Sequence, residues 1–329
     1  VPTTERSTIQ ADRPAVFDNV KISDITFVVR SAGERTARGA LRLIEQQLVQ
    51  HEGGSTSQIE LVNERPFSHA VRRTLELGAE RARPWTIGID ADVLLVNQGV
   101  ERLLGMCRAA KPGSFTVTGL MLCKFYGGFV FRGVHCYRTE LLERAATLIG
   151  KRTPGGPDPC LKPESAVVHA MEAVGFGYEG HPVVLAAHDY EQSFRHIYLK
   201  LRMRGRREAE AMRDGGGKIG AGDPNALAAY CRERAVLGDK DHLVALWGIE
   251  DGVADASRPT SERHESYNWF AEWPEYDRRV RDHGLTEKEH FDPRSSTGYA
   301  DCVIEAHRLD IDTRTPKWIR EALAQRTMA

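Results

Sequence analysis

Trp85-Thr-Ile-Gly-Ile-Asp-Ala-Asp-Val-Leu-Leu95 is the stretch on which the fold turns. Its opening residues are apolar or β-branched, as in a buried strand, and the run is interrupted by two carboxylates two positions apart. A helix follows, with Val100, Leu103, Leu104 and Cys107 on one apolar face. Two units of the same kind precede it. Ile25-Thr-Phe-Val-Val29 reads as a strand, and Ala37, Leu41, Ile44 and Leu48 follow at helical spacing up to His51-Glu-Gly-Gly54. Gln58-Ile-Glu-Leu-Val62 is the next strand, and Pro66 opens a helix carrying Val71, Leu75 and Ala79. Three β-then-α units in succession predict an α/β fold with a doubly wound, mostly parallel sheet flanked by helices.

Outward from this core the pattern changes. Phe115 to Val117 and Phe125 to Phe131 crowd β-branched and aromatic residues with no helix between them, which predicts strands with an antiparallel excursion. A helix is expected over 139–149, a Gly/Pro-rich loop over 151–162, a helix over 164–174 and a strand over 181–187. Beyond Glu191 the chain becomes helical and charged. Residues 1–22 read as a polar N-terminal arm, 23–207 as the catalytic domain and 208–329 as a mainly helical C-terminal extension. Four of the five tryptophans lie in the last part, with Tyr267, Trp269, Phe270, Trp273 and Tyr276 close together. Aromatics at that spacing are expected in packing more than in a sugar site.

Composition narrows the function classes. The 329 residues carry 45 Lys+Arg against 46 Asp+Glu, a formal charge of -1, so a dedicated nucleic-acid binder is not expected. No apolar run approaches the roughly 18 residues of a membrane span. The polar start shows no signal-peptide pattern, and the expectation is a cytoplasmic protein. Six scattered cysteines, without a C-x-x-C pair, read as reduced thiols.

In open parallel sheets ligands bind outside the carboxyl ends of the strands. Asp90 and Asp92 there are close enough to hold one hard cation, Mg²⁺ or Mn²⁺, which bridges to substrate phosphates. The loop after the first strand offers Arg30, Gly33 and Arg35 for a phosphate or carboxylate. Asn63 and Glu64 end the second strand on the same rim, placed to read a base or ribose. His188 follows a strand and lies on the rim as well.

In this order the segments resemble the nucleotide-sugar-binding half of a GT-A-type glycosyltransferase, similar to family-2-like nucleotide-sugar transferases. Gly133-Val-His-Cys-Tyr-Arg-Thr-Glu-Leu-Leu142 resembles the segment lining the acceptor side in those enzymes. Lys162-Pro-Glu-Ser-Ala-Val-Val-His-Ala-Met-Glu-Ala-Val-Gly175 resembles their helix with the catalytic acid. The resemblance spans about residues 24–200. It implies a metal-dependent transfer of a sugar from a UDP- or GDP-linked donor to a carbohydrate, lipid-linked or small-molecule acceptor. Asp92 and His188 would hold Mn²⁺ or Mg²⁺, and Asp90 would contact the ribose or a metal-bound water. Arg30 and Arg35 would hold the nucleotide or its diphosphate, with Glu64 beside the base. Glu164 would be the general base, with Asp158 in reserve. Gly133 and His135 fall on the acceptor side.

From Gln192 to Arg207 there are six basic residues, among them Arg195 and Lys200, and no acid. Three roles fit this helix: a surface face, a cover over the donor phosphates, or a peripheral contact with an anionic inner-membrane face. Two rival functions share the Asp90-Ala-Asp92 signal. One is a haloacid-dehalogenase-like phosphatase with Asp90 as nucleophile, Asp92 as acid and Thr118 as a second motif. The other is a non-catalytic sugar-nucleotide-binding protein on the same fold.

Overall fold

Six consecutive residues from Ile25 to Arg30 are all buried, which a strand allows when both faces of its sheet are covered. The computed structural model describes residues 19–131, 133–157, 159, 162–213, 223–256, 273–288 and 291–294. It forms β1 (Ile25–Arg30), α1 (Ala37–Leu48), β2 (Ile59–Val62), α2 (Phe67–Arg81) and β3 (Trp85–Asp90). β1 pairs in parallel with β2 on one side and β3 on the other. The three βα units therefore form as the periodicities predict. Of the expected arm, residues 19–22 are described, and Val20 and Ile22 are buried in the core.

Several elements differ from their readings. The helix expected over 139–149 is α-helical only over Leu142–Ala146, Phe125 stands in a 3-10 turn and not in a strand, and the strand expected over 181–187 begins at Gly177. The run from Trp85 to Leu95 breaks at the acids, and its tail is a separate strand, β4 (Val93–Leu95). At the break the last ladder bonds still go to the neighbouring strands. The Asp90 amide donates to the Gly133 carbonyl (2.9 Å) and the Ala91 amide to the Arg30 carbonyl (2.8 Å). After α3 (Gly99–Ala109) come β5 (Ser114–Cys123), β6 (Gly128–Val130), β7 (Val134–Arg138), α4 (Leu142–Ala146), α5 (Pro163–Ala173) and β8 (Gly177–His188). The sheet runs β2-β1-β3-β7-β5-β8-β4, with β6 on β5. β7 is antiparallel to β3 and β5, and β5 runs parallel to β8. Among the described residues five strands (β1, β2, β3, β5, β8) point one way, and the antiparallel excursion lies where the β-branched crowding predicted it.

α6 (Phe194–Arg213), α7 (Pro224–Val236), α8 (Lys240–Ala256) and α9 (Pro274–Asp282) follow. They share a core of Phe194, Ile197, Tyr198, Leu201, Leu227, Val244, Trp247 and Tyr276. A Cβ on Gly248 would stand 2.4 Å from the Tyr198 carbonyl oxygen, so α6 and α8 touch backbone to backbone. α6 crosses the expected 207/208 boundary without a break. Its charges are committed inside the protein: Arg202 to Asp255 (2.6 Å), Arg206 to Glu210 (3.1 Å) and Arg207 to Glu208 (3.3 Å). Trp273 and Tyr276 pack on the Tyr198 ring at 6.4 and 5.0 Å; Tyr267, Trp269 and Phe270 lie outside the described residues. No helix among the described residues is long and apolar enough to cross a membrane.

α8 depends on a cap that could be tested directly. Asp239 Oδ1 accepts from the amides of Asp241 (3.0 Å) and His242 (3.2 Å), and Oδ2 lies 2.8 Å from His242 Nδ1. Burial would raise the Asp239 carboxyl, but His242 and Lys124 outweigh it and hold it well below the ordinary carboxylate value. Its stabilisation is therefore present above the unfolded value of about 4 and lost as the pH falls below it. Asp239→Ala is expected to lower stability by about 1–2 kcal/mol in urea titrations at pH 7, and Asp239→Asn by less. Equal stability of wild type and Asp239→Ala would show that the cap contributes nothing.

Candidate active site

Arg30 and Asp90 are register partners at the C-terminal ends of β1 and β3. The Arg30 guanidinium, 2% exposed as a residue, lies 2.9 Å from Asp90 Oδ1 and donates to Glu164 Oε1. Glu164 stands in the first turn of α5, where the helix dipole favours an acid. Tyr137 donates its hydroxyl to the same Oε1 (3.4 Å), and His135 Nε2 approaches Oε2 at 3.7 Å. His135 and Tyr137 alternate along β7 and so share a face, their rings stacked 5.6 Å apart. Burial raises the Asp90 carboxyl well above its ordinary value, and Glu164 and Asp92 add to this against Arg30. For Glu164 burial is outweighed by Arg30 and His135, so its carboxyl lies below the ordinary value. Two buried carboxylates thus share one guanidinium.

Gly133 has to be glycine. Its φ is +65°, and a Cβ there would lie 2.7 Å from Val93 Cγ2 and 3.5 Å from Asp90 Oδ2. The chain crosses directly over the Asp90 carboxylate at this point.

Asp92 belongs to a second cluster. Its Oδ2 accepts from Lys200 Nζ, while Oδ1 is buried without a hydrogen-bond donor and lies 3.8 Å from His188 Nε2. His188, the last residue of β8, places Nδ1 3.1 Å from Asp189 Oδ2 and 3.3 Å from Cys123 Sγ. The tautomer with the proton on Nδ1 donates to Asp189 and turns the Nε2 lone pair toward Asp92, as in carboxylate-oriented metal ligands. Asp189 and Glu191 hold φ values of +67° and +60°, a strained conformation for non-glycine residues that persists where surrounding structure imposes it. The Asp189 amide also donates to the Asp92 carbonyl (3.1 Å), tying β8 to the β3–β4 junction. Burial would raise the Asp92 carboxyl, but Lys200 and His188 prevail and hold it at about 2. The donor set fits a hard divalent cation: a carboxylate oxygen without a donor and an imidazole nitrogen, 3.8 Å apart on a fixed rim. Cys123, His188 and Asp189 also bring potential ligand atoms within 4.8 Å of one another.

Arg35 lies 3.4 Å from Glu191 and 5.8 Å from the Phe291 ring centroid. Gly33 (φ +102°) faces the Arg65 guanidinium, which donates to the Ala32 carbonyl. Asn63 and Glu64 are exposed on the loop after β2. Arg195 is in the first turn of α6, where its amide donates to Glu287 (3.1 Å). Asp158 lies outside the described residues. Thr118 donates to the Val134 carbonyl (2.5 Å) in the core, so its hydroxyl is not on the rim with Asp90.

Sequence reasoning passed over Asp189, Tyr137 and Glu34. Asp189 adjoins His188 in the segment already singled out. Tyr137 stands two residues from His135, the spacing that puts both on one strand face. Glu34 accepts from the Ala32 amide (2.6 Å) and Ser31 Oγ (2.9 Å), and burial, then Asp92, raises its carboxyl. No local pattern marked it.

The order β2-β1-β3, an antiparallel β7 beside β3, then β5 and β8, with Asp-x-Asp where β3 ends, makes this an α/β fold with a mostly parallel sheet flanked by helices. No family model matches the chain, and no curated protein matches it. Among solved structures it is similar to a glycosyltransferase involved in the glycosylation of the major capsid of PBCV-1, at 13% identity and TM-score 0.36, over 50% of this chain and 93% of that one. It is also similar to mannosyltransferase PcManGT from Pyrobaculum calidifontis in complex with GDP-Man and Mn²⁺ (15%, TM-score 0.33, 90% of each chain). A third is CMP:2-keto-3-deoxy-manno-octonic acid synthetase complexed with CTP (11%, TM-score 0.33, 49% of this chain and 90% of that one). Likeness this distant assigns no role to any residue.

Proposed function

We propose that the protein transfers a sugar from a UDP- or GDP-linked donor to the hydroxyl of a carbohydrate, lipid-linked or small-molecule acceptor. The observation that carries this reading is the convergence on one rim of Asp90, Asp92, Glu164 and His188 from β3, the β3–β4 junction, α5 and β8. Mn²⁺ or Mg²⁺ held by Asp92 and His188, with Asp90 close by, would supply positive charge to the diphosphate as it leaves. Arg30 keeps Asp90 and Glu164 in place while they are buried, and Arg35 stands on the loop between β1 and α1, 3.4 Å from Glu191. Glu164 takes the proton of the acceptor hydroxyl. Arg30 and His135 outweigh burial and hold its carboxyl below the ordinary value, in the ionised form that a base needs. Catalysis resides in residues 23–207 on this reading, and residues 208–329 support it as a helical extension. A lipid-linked acceptor would bring the protein to a membrane surface as a peripheral visitor.

The test is a thermal-shift panel of nucleoside diphosphates and their sugars with Mn²⁺. One nucleotide should raise Tm by several degrees at 100 times its Kd; no shift with any of them would sink the proposal. Glu164→Gln is expected to lower turnover by about 10²–10⁴-fold with donor affinity nearly unchanged. Near-normal turnover in single-turnover assays would move the base elsewhere.

A further inference from the structure

The donor atoms that suit a divalent cation already surround a positive charge. Lys200 Nζ lies 2.5 Å from Asp189 Oδ1, donates to Asp92 Oδ2 and stands 3.4 Å from His188 Nε2. We propose that the Lys200 ammonium is a placeholder in the cation seat, which a divalent ion must displace in order to bind. Its destination, resting on the donor reading above, is the diphosphate that arrives with that ion.

Three features of the cluster support this. First, the ammonium and a divalent cation in this seat face the same Asp92 carboxylate and the same imidazole nitrogen, His188 Nε2. Two cations within 4 Å repel as strongly as an ion pair at that distance attracts, so occupancy by one excludes the other. Second, the parts differ in freedom. The side chains of Asp189 and His188 are 3% and 6% exposed, and that of Asp92 is 11%. Lys200 reaches them from α6 on a flexible four-carbon stem with a side chain 27% exposed, and a lysine head can move without rearranging a helix. Third, the free protein needs a cation here. Asp92 and Asp189 are buried beside one another, and without Lys200 the His188 imidazole alone would face both carboxylates. The left-handed backbone at Asp189 aims a carboxylate at Lys200 despite its conformational cost.

Coupling follows from the exchange. A divalent ion entering alone must expel Lys200 to a place with no new anion. Entering with a diphosphate, it leaves Lys200 beside fresh negative charge. Metal affinity therefore rises when nucleotide binds, and by linkage nucleotide affinity rises equally with metal.

The experiment measures Mn²⁺ binding to the full chain by titration calorimetry and by the electron-spin signal of free Mn²⁺. Wild type, Lys200→Met and Lys200→Gln are compared, alone and with UDP or GDP. Without nucleotide, Lys200→Met should bind Mn²⁺ at least tenfold more tightly than wild type. The matching nucleoside diphosphate should tighten Mn²⁺ binding to wild type at least tenfold and to Lys200→Met less than threefold. Lys200→Gln decides the same question if circular dichroism shows Lys200→Met unfolded. Equal Mn²⁺ affinity of wild type and a folded variant without nucleotide overturns the proposal. So does full wild-type turnover in excess chelator, since Lys200 would then be the permanent cation. If no nucleoside diphosphate binds any form, yet the variants gain Mn²⁺ affinity, the placeholder stands and the donor reading falls.

Discussion

Asp92→Asn is expected to yield a folded protein whose sugar transfer is reduced on the order of a thousandfold, a loss of about 4 kcal/mol of transition-state stabilisation. The substitution keeps the shape of the side chain and an acceptor for Lys200 while removing the charge. Lys200 keeps Asp189 as an ionised partner at 2.5 Å, so the fold has little reason to fail. What is lost is the carboxylate oxygen that faces His188 Nε2 at 3.8 Å, a donor available to a divalent ion there. Mn²⁺ binding in the presence of a nucleoside diphosphate should weaken in parallel with turnover. Transfer within tenfold of wild type, at saturating donor and Mn²⁺, would place the cation elsewhere.

Arg30→Met is expected to act on stability more than on any single catalytic step. The guanidinium compensates Asp90 and Glu164 together, and the Arg30 side chain is 1% exposed. Removing one partner of a buried charge pair costs about 3–5 kcal/mol, because the remaining charges stay desolvated. That is a large share of the roughly 5–15 kcal/mol that holds a typical domain together. The sign with pH is also fixed. In the variant both carboxyls titrate above their unfolded values, so the folded state binds more protons and the deficit shrinks as the pH falls from 8 to 5. Adding Glu164→Gln removes one of the two stranded charges and should recover part of the loss, so the double-mutant cycle measures the coupling. Urea titrations at several pH values are sufficient. A deficit below about 1 kcal/mol at every pH would show that water reaches these carboxylates.

The contrast between these two variants reflects what could be read before the fold was known. Asp90 and Asp92 look equivalent in sequence, two carboxylates at the end of an apolar run. In the structure they face different partners: Asp90 turns to Arg30 but burial outweighs that charge and raises it, while Asp92 turns to Lys200 and is lowered. Successive positions along an extended chain point to opposite faces, but Ala91 stands at a break in the strand, and there the alternation no longer applies. The basic helix illustrates the same limit. Helical spacing marked Lys200 and Arg202 as charged positions on an amphipathic helix, yet Lys200 reaches Asp92 while Arg202 pairs with Asp255 and lies over Trp273, 4.5 Å from its ring centroid.

By itself the sequence determined what depends on neighbours within a turn or a strand. That includes the three βα units, the parallel direction of β1, β2 and β3, and the place of Asp-Ala-Asp at the rim. Periodicity carries this information because burial repeats every 2 or 3.6 residues along the chain. Only the tertiary structure decided which charges meet. Arg30 and Glu164 are 134 positions apart and Lys200 and Asp92 are 108 apart, and no local pattern encodes such pairings. It also sent Val93 to Leu95 across to β8 at the far edge of the sheet, where an apolar, β-branched run that the sequence reads as one strand finds a second partner. Burial makes these distant choices strict. In this desolvated rim the carboxylates share cations, Asp90 and Glu164 one guanidinium, Asp92 and Asp189 one ammonium, and packing, not spacing, brings those cations within reach.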